Sequence, residues 1–332
     1  MSSGMQTITV IGCHAGGEVG NVVVAGVEPP AGATVREQME SLRADDTLRR
    51  FLLREPRGSV ATHANLIVPA TRDDCAAGYI IMEPTEYPLM SGSNTICVTT
   101  VLLETGIVPM HEPETVLRLE APAGVVDVRA ACRDGRVESV ELTNVPAYAT
   151  QLDATLEVEG LGTLAVDVAF GGMWYCIADA SALGFAIEPD EARELCDAGE
   201  RIRLAAKEQL DGNVSIVEIA QPWQGVGAVS RNAVVIAPGR LDRSATGTGL
   251  SARMAALYAR GLMRVGDAMT HASPIGSTFD GRIVAETGDG TIVPAIRGSG
   301  FVTGRFELYV DERDPFPEGY LVRDTWPGSD RQ

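Results

Sequence analysis

Two short segments of the 332-residue chain set hydroxyl side chains and glycines at the head of a helical pattern. They are Ser91-Gly92-Ser93-Asn94-Thr95 and Thr246-Gly247-Thr248-Gly249-Leu250, 155 residues apart. The first leads into ICVTTVLLETG, closing at Gly106, and the second into SARMAALYARG, closing at Gly261. The first amide N–H groups of a helix lack intrahelical partners and carry partial positive charge. A small carboxylate can therefore be gripped by the amides of Gly92, Ser93, Gly247 and Thr248 with no arginine. Ser91 and Thr246, each just before a glycine, are then candidate catalytic groups flanking the bound acid. The competing explanation is N-capping, for which Ser and Thr are favoured on stability alone.

The elements that must position these groups repeat at the same offset. His14-Ala15-Gly16-Gly17-Glu18 precedes the apolar strand NVVVAG, and 155 residues beyond Gly16 and Gly17 stand Gly171 and Gly172 in AFGGMWYCIADA, which also reads as a strand. Helical patterns near 35–53 and 188–209 form a third pair, the second headed by Pro189, a residue suited to a first helical turn. Three pairs at one offset imply two pseudo-equivalent lobes, 1–150 and 151–332, with the extreme C-terminus a candidate to pack back on the first. Asp134-Gly135 signals a hairpin near the junction. The two glycine-led helices carry few charges, so each is expected to be the buried centre of its lobe. Their N-termini are expected to face one inter-lobe cleft.

Composition narrows the partners. The net charge is −18 and the isoelectric point about 4.6, so the surface repels nucleic acid and anionic membrane. A carboxylate substrate must then rely on local dipoles. The six cysteines (Cys13, Cys75, Cys97, Cys132, Cys176 and Cys196) form no C-x-x-C pair and read as reduced thiols. The opening MSSGMQTITVIG lacks the basic and apolar regions of a secretion signal, and no stretch is apolar enough for a membrane span, so a cytoplasmic protein is expected. His63, His111 and His271 show no metal-ligand spacing and receive no role. Cys97 reads as a buried filler. Tyr87, Met90, Trp174 and Tyr175 either line an apolar pocket or pack the core.

Several segments resemble the proline racemase superfamily. Leu241-Asp242-Arg243-Ser244-Ala245-Thr246-Gly247-Thr248-Gly249 is similar to its DRSPCGTG signature, and Met90-Ser91-Gly92-Ser93-Asn94-Thr95 to its MCGHGT. His14-Ala15-Gly16-Gly17-Glu18 resembles HTAGE, Glu55-Pro56-Arg57-Gly58 EPRG, and Pro122-Ala123-Gly124 PAG. The run from Asp167 to Tyr175 resembles DIAYGGNFY, and Asp314-Pro315-Phe316 a terminal DPF. The resemblance implies an α/β fold of the diaminopimelate-epimerase type, with two pseudo-symmetric lobes, each wrapping strands about a central helix, and an active site in the inter-lobe cleft. It also implies a proline-like amino acid as substrate, no cofactor or metal, and Asp242 against the ring nitrogen. A homodimer is left open.

The two catalytic cysteines of the racemases correspond to Ser91 and Thr246, and the histidine following the first corresponds to Ser93. An alcohol is a poorer base than a thiol, which disfavours two-base racemisation. The family's dehydratases carry threonine at the second position. The expected activity is therefore that of a lyase of amino-acid catabolism, dehydrating trans-3-hydroxy-L-proline or a similar cyclic amino acid. The alternatives are a proline or hydroxyproline racemase or epimerase (an isomerase), or an amino-acid-binding homologue with impaired catalysis. Ser91 is the expected base, but a helix N-terminus supplies only about 0.3–2 kcal/mol. His14 is the auxiliary candidate, unless it only hydrogen-bonds backbone.

Overall fold

The computed structural model describes residues 6–210, 214–311 and 313–326. In chain order the elements begin with β1 (Gln6–Ala15), β2 (Glu18–Ala25), α1 (Val35–Ala44), α2 (Thr47–Leu53), β3 (Thr62–Val68), β4 (Ala77–Met82), α3 (Gly92–Glu104), β5 (Glu114–Ala121), β6 (Gly124–Arg133) and β7 (Arg136–Thr143). They continue with β8 (Tyr148–Val158), β9 (Gly162–Phe170), β10 (Trp174–Asp179), α4 (Ala180–Leu183), α5 (Ala192–Gln209), β11 (Ile216–Ala220), β12 (Val229–Ile236), β13 (Arg240–Leu241), α6 (Gly247–Ala259), β14 (Ala268–Ala272), β15 (Thr278–Glu286), β16 (Ile292–Gly298) and β17 (Gly300–Val310). The chain divides into two units, the first comprising residues through Glu141 and those from Ser299 onward, the second Leu142–Gly298. The division thus falls ahead of residue 150, before β8, and a second crossing at 298/299 assigns β17 to the first unit.

In the first unit β1 runs antiparallel to β2, β2 parallel to β3, β3 antiparallel to β4, β4 parallel to β5, and β5 antiparallel to β6. β17 adds antiparallel to β1, with Ile8 opposite Leu308. The second unit repeats this order: β9 antiparallel to β10, β10 parallel to β11, β11 antiparallel to β12, β12 parallel to β14, and β14 antiparallel to β15. There β8 pairs with β9 as β17 pairs with β1. The 155-residue repeat is thus a repeat of topology.

Each unit encloses one helix. α3 packs against β1, β2 and β17, and α6 against β8, β9, β15 and β16. Every residue of α3 from Gly92 to Leu103 is buried, which a helix can satisfy only if it is apolar on all sides. The polar exceptions are neutralised locally: Thr99 and Thr100 donate to the carbonyls of Thr95 and Ile96, both at 2.8 Å. Each fully buried Val, Leu or Ile of the helix contributes about 1.5–3 kcal/mol of transfer free energy. Both helices are followed by a glycine in the left-handed region, Gly106 at φ 74° and Gly261 at φ 71°.

Details of the repeat differ from the sequence reading. The segment 35–53 is two helices, because the chain breaks at Asp45-Asp46 and the Asp46 carboxylate turns to Arg49 and Tyr87. The segment 188–209 opens with a single 3-10 turn, Pro189–Glu191, before α5. AFGGMWYCIADA is not one strand: Gly171, Gly172 and Met173 turn the chain from β9 into β10. Asp134 and Gly135, with φ of 53° and 70°, form the expected tight turn between β6 and β7. All six cysteines are unpaired, and Cys97 is a buried filler whose thiol is held well above its usual pKa, chiefly by burial.

Gly171 shows how closely strand and helix approach. A Cβ there would lie 2.2 Å from the Thr248 carbonyl and 2.4 Å from the Ala252 amide, both backbone atoms of α6. Gly171→Ala should therefore cost about 2 kcal/mol or more, a typical overpacking penalty, read as a lowered urea midpoint. An unchanged midpoint would show that α6 moves freely.

Candidate active site

The first half-site is built on the head of α3. Ser91 is the N-cap residue, with extended backbone (φ −151°, ψ 125°), but its side chain makes no capping bond. Capping therefore does not account for its hydroxyl. Asn94 Nδ2 donates to Ser91 Oγ at 2.9 Å, and Ser93 Oγ lies 3.4 Å away. Asn94 is held from two sides. Asn65 Nδ2 donates to its Oδ1 at 2.8 Å, and its Nδ2 sits 3.2 Å from His63 Nδ1. The other ring nitrogen of His63 is 3.2 Å from Glu18 Oε1, and Nδ1 is 3.5 Å from Glu83 Oε1. Glu18, His63, Asn65, Asn94 and Ser93 are all buried.

His14 takes the backbone role. Its Nδ1 accepts the Gly17 amide at 3.2 Å, and its ring packs on Phe301 with centroids 5.4 Å apart. The histidine linked to Ser91 is instead His63, through Asn94. Sequence reasoning set His63 aside for want of metal spacing. The legible signal was Asn94 itself, three residues after Ser91 and so on the same helical face.

The second half-site is built on the head of α6. Thr246 has φ +56° and ψ 106°, a conformation costly for a β-branched residue, and its hydroxyl does not cap the helix either. Thr246 Oγ1 donates to Asp242 Oδ2 at 3.0 Å. Asp242 Oδ1 accepts the Ser244 amide at 2.8 Å, and Ser244 Oγ accepts the Thr246 amide at 3.1 Å. This interlocked turn holds Thr246 in its strained backbone and joins its hydroxyl to a carboxylate. Gly247 and Thr248 begin the helix, and the Thr248 hydroxyl is 2.7 Å from that of Tyr175. Tyr175 and Met90 are fully buried, Tyr87 bonds Asp46, and Trp174 packs against Tyr148 and Phe170.

Behind Thr246 lies a group that the sequence did not reveal. Glu218, on β11, has no exposed surface, and neither carboxyl oxygen has a hydrogen-bond partner among the described residues. A Cβ on Gly249 would lie 2.9 Å from Glu218 Oε2, so the missing side chain leaves room for the carboxyl. His271 Nε2 is 3.8 Å from Glu218 Oε1. Burial raises the Glu218 pKa to about 8, opposed by Arg253. Burial, reinforced by Arg253, lowers His271 to about 3. Both groups are therefore neutral near pH 7, the state that full burial favours. Among the described residues no group of three or more His, Cys, Asp or Glu is placed to hold a metal ion, and no helix is long and apolar enough to cross a membrane.

The raised pKa has a sign that can be measured. An unfolded Glu218 ionises above its ordinary value of 4.5, whereas the native one keeps its proton until about pH 8. Native stability is therefore lost as pH rises through that window. Glu218→Gln, which cannot ionise, should gain melting temperature relative to the native chain between pH 5 and pH 8, and an equal difference at both pH values would mean that Glu218 titrates normally.

The chain is similar to known proteins along nearly its whole length. Residues 10–321 match the proline racemase family. The structure superposes with a TM-score of 0.90 on a hydroxyproline epimerase from Agrobacterium vitis with bound trans-4-hydroxy-L-proline, at 36% identity over 98% of this chain and 99% of that one. A probable proline racemase from Agrobacterium radiobacter, with bound carbonate, gives 0.89 at 39% identity over 96% and 98%. A phenazine biosynthesis protein of the PhzF family from Bacillus anthracis, at 11% identity over 92% and 100%, shares the fold alone with a TM-score of 0.60. The residue motifs, the repeated α/β topology and the extent of these matches make this chain a member of the proline racemase family.

Proposed function

We propose that the chain removes the α-proton of a small cyclic amino acid held by its carboxylate on main-chain amides at helix N-termini, and that its reaction is dehydration of trans-3-hydroxy-L-proline or a close relative. The amides of Gly92, Ser93, Gly247 and Thr248 are the proposed carboxylate donors. The observation that carries the reading is the difference between the two hydroxyls. Thr246 donates to a carboxylate, whereas Ser91 accepts from an amide. A neutral hydroxyl can take a proton only if its own has somewhere to go, and Asp242 provides that sink for Thr246. The proposed base is therefore the Thr246–Asp242 pair rather than Ser91.

One base is enough for this elimination. In trans-3-hydroxy-L-proline the α-hydrogen and the 3-hydroxyl project from the same face of the ring. Thr246 Oγ1 takes the α-proton while its own passes to Asp242. The Cα electron pair forms the double bond as the C3–O bond breaks, and the Thr246 hydroxyl gives a proton to the departing hydroxide to form water while Asp242 returns its own to Thr246. The cyclic enamine then tautomerises to 1-pyrroline-2-carboxylate. The family resemblance further supports Asp242 as the partner of the ring nitrogen, where a carboxylate steadies a secondary ammonium ion. Epimerisation is the second reading. It is favoured by the hydroxyproline epimerase at 36% identity and by the hydroxyl of Ser91, which can return a proton to the opposite face.

The test is incubation with prolines and hydroxyprolines in D₂O, following the α-proton and the 3-hydroxyl carbon by NMR. Loss of the 3-hydroxyl is expected, and exchange with the hydroxyl retained would establish the epimerase instead. Binding with neither reaction would leave a binding protein. Thr246→Val keeps the shape and removes the hydroxyl, and should lower kcat by about 10²–10⁴; a variant that still eliminates at the native rate excludes Thr246 as base. Ser91→Cys should raise α-proton exchange relative to elimination, and an unchanged ratio would place Ser91 away from the substrate.

A further inference from the structure

We infer that Asn94 is the positioning residue that decides which way protons move at Ser91, and that His63 and Asn65 fix it in that setting. The inference rests on the reading above, in which Ser91 and Thr246 are the groups that exchange protons with the substrate. The amide of Asn94 has one orientation available. Its Oδ1 is taken by the Asn65 Nδ2 donor at 2.8 Å, so its Nδ2 must be the atom facing Ser91 Oγ at 2.9 Å and His63 Nδ1 at 3.2 Å. Two N–H bonds leave that nitrogen, one to each acceptor. His63 Nδ1 is then unprotonated, and the ring proton sits on Nε2, aimed at Glu18 Oε1 at 3.2 Å. The line Glu18, His63, Asn94, Ser91 is buried at its first three members, where a misdirected amide would be costly.

The consequence falls on Ser91. An oxygen that receives a donor is stabilised as it gains negative charge, and its own proton is turned elsewhere. So capped, Ser91 can surrender a proton, but the acceptor beside it for its own is the neutral Ser93 hydroxyl at 3.4 Å rather than a carboxylate. Asp242 does the reverse for Thr246. The two half-sites are thus a proton acceptor at Thr246 and a capped hydroxyl at Ser91, and Asn94 is what separates them. Replacing its amide by a carboxylate would give Ser91 the partner that Thr246 has, and with it a second base.

The test compares α-proton loss from trans-3-hydroxy-L-proline and from its D enantiomer, whose α-hydrogen points to the other face. The native chain should act on one enantiomer strongly in preference. Asn94→Asp should raise α-proton loss from the disfavoured enantiomer by about tenfold or more, with KM for the favoured one changed by less than about twofold, whereas His63→Gln, which keeps an acceptor for the Asn94 amide, should retain the native preference. A folded Asn94→Asp with the native preference overturns the inference. If that variant does not fold, ¹⁵N NMR of the native chain decides: an unprotonated His63 Nδ1 and a protonated Nε2 support the inference, and a protonated Nδ1 overturns it. Ser91→Ala separates the two levels. If it leaves both enantiomers' rates unaltered, Ser91 has no part in the chemistry; if it impairs one while Asn94→Asp does nothing, the inference alone fails.

Discussion

The structure depends on burying the amino end of a helix inside each unit without letting the adjoining side chain satisfy it. Unpaired main-chain donors cost free energy when removed from water, and an N-cap serine or threonine ordinarily relieves that cost. Here both N-cap hydroxyls are bonded to other side chains. Back-bonded threonines settle the polar side chains of α3, and the close approach at Gly171 brings strand backbone against α6, while neither N-cap side chain caps its helix. In the reading proposed above such an end is the receptor for a carboxylate, and its local character is what suits it to a chain of net charge −18.

The repeat preserves the scaffold and not the polar interior. Asn94 and Gly249 occupy matching positions on α3 and α6, yet one carries an amide joined to a histidine and the other no side chain at all. In the second unit the vacated space is filled from the sheet, by Glu218 with His271 beside it. Polar groups in a dry interior are tolerated when paired or neutral, and the two units use one solution each. The repeated scaffold thus carries unlike interiors in its two units.

Much of this was legible in the sequence. The glycine-led helices, the 155-residue spacing and the motif order yielded the fold class, because helix burial and turn glycines leave local signatures. Ser91, Thr246, Gly247 and Asp242 were named from the same segments. What could not be read were contacts between distant strands. The link of Ser91 to His63 crosses from α3 to β3, and Glu218 reaches α6 from β11, so neither has a spacing that a scan along the chain detects. Asp242 lay four residues from Thr246, yet its bond to the hydroxyl depends on a left-handed backbone that nothing in a threonine announces.

The return of β17 to β1 bears on how the chain is made. The second unit is continuous, from Leu142 to Gly298. The first cannot finish its sheet until Gly300–Val310 arrives, some three hundred residues after the strand it pairs with. Arg57 then bonds the carboxylate of Asp314 and the carbonyls of Phe316 and Pro317, fastening the late segment to the early one. Domains fold as units during synthesis, and contacts of long sequence separation form slowly. The pairing of β1 with β17 is therefore a contact that can form only after nearly the whole chain has been made.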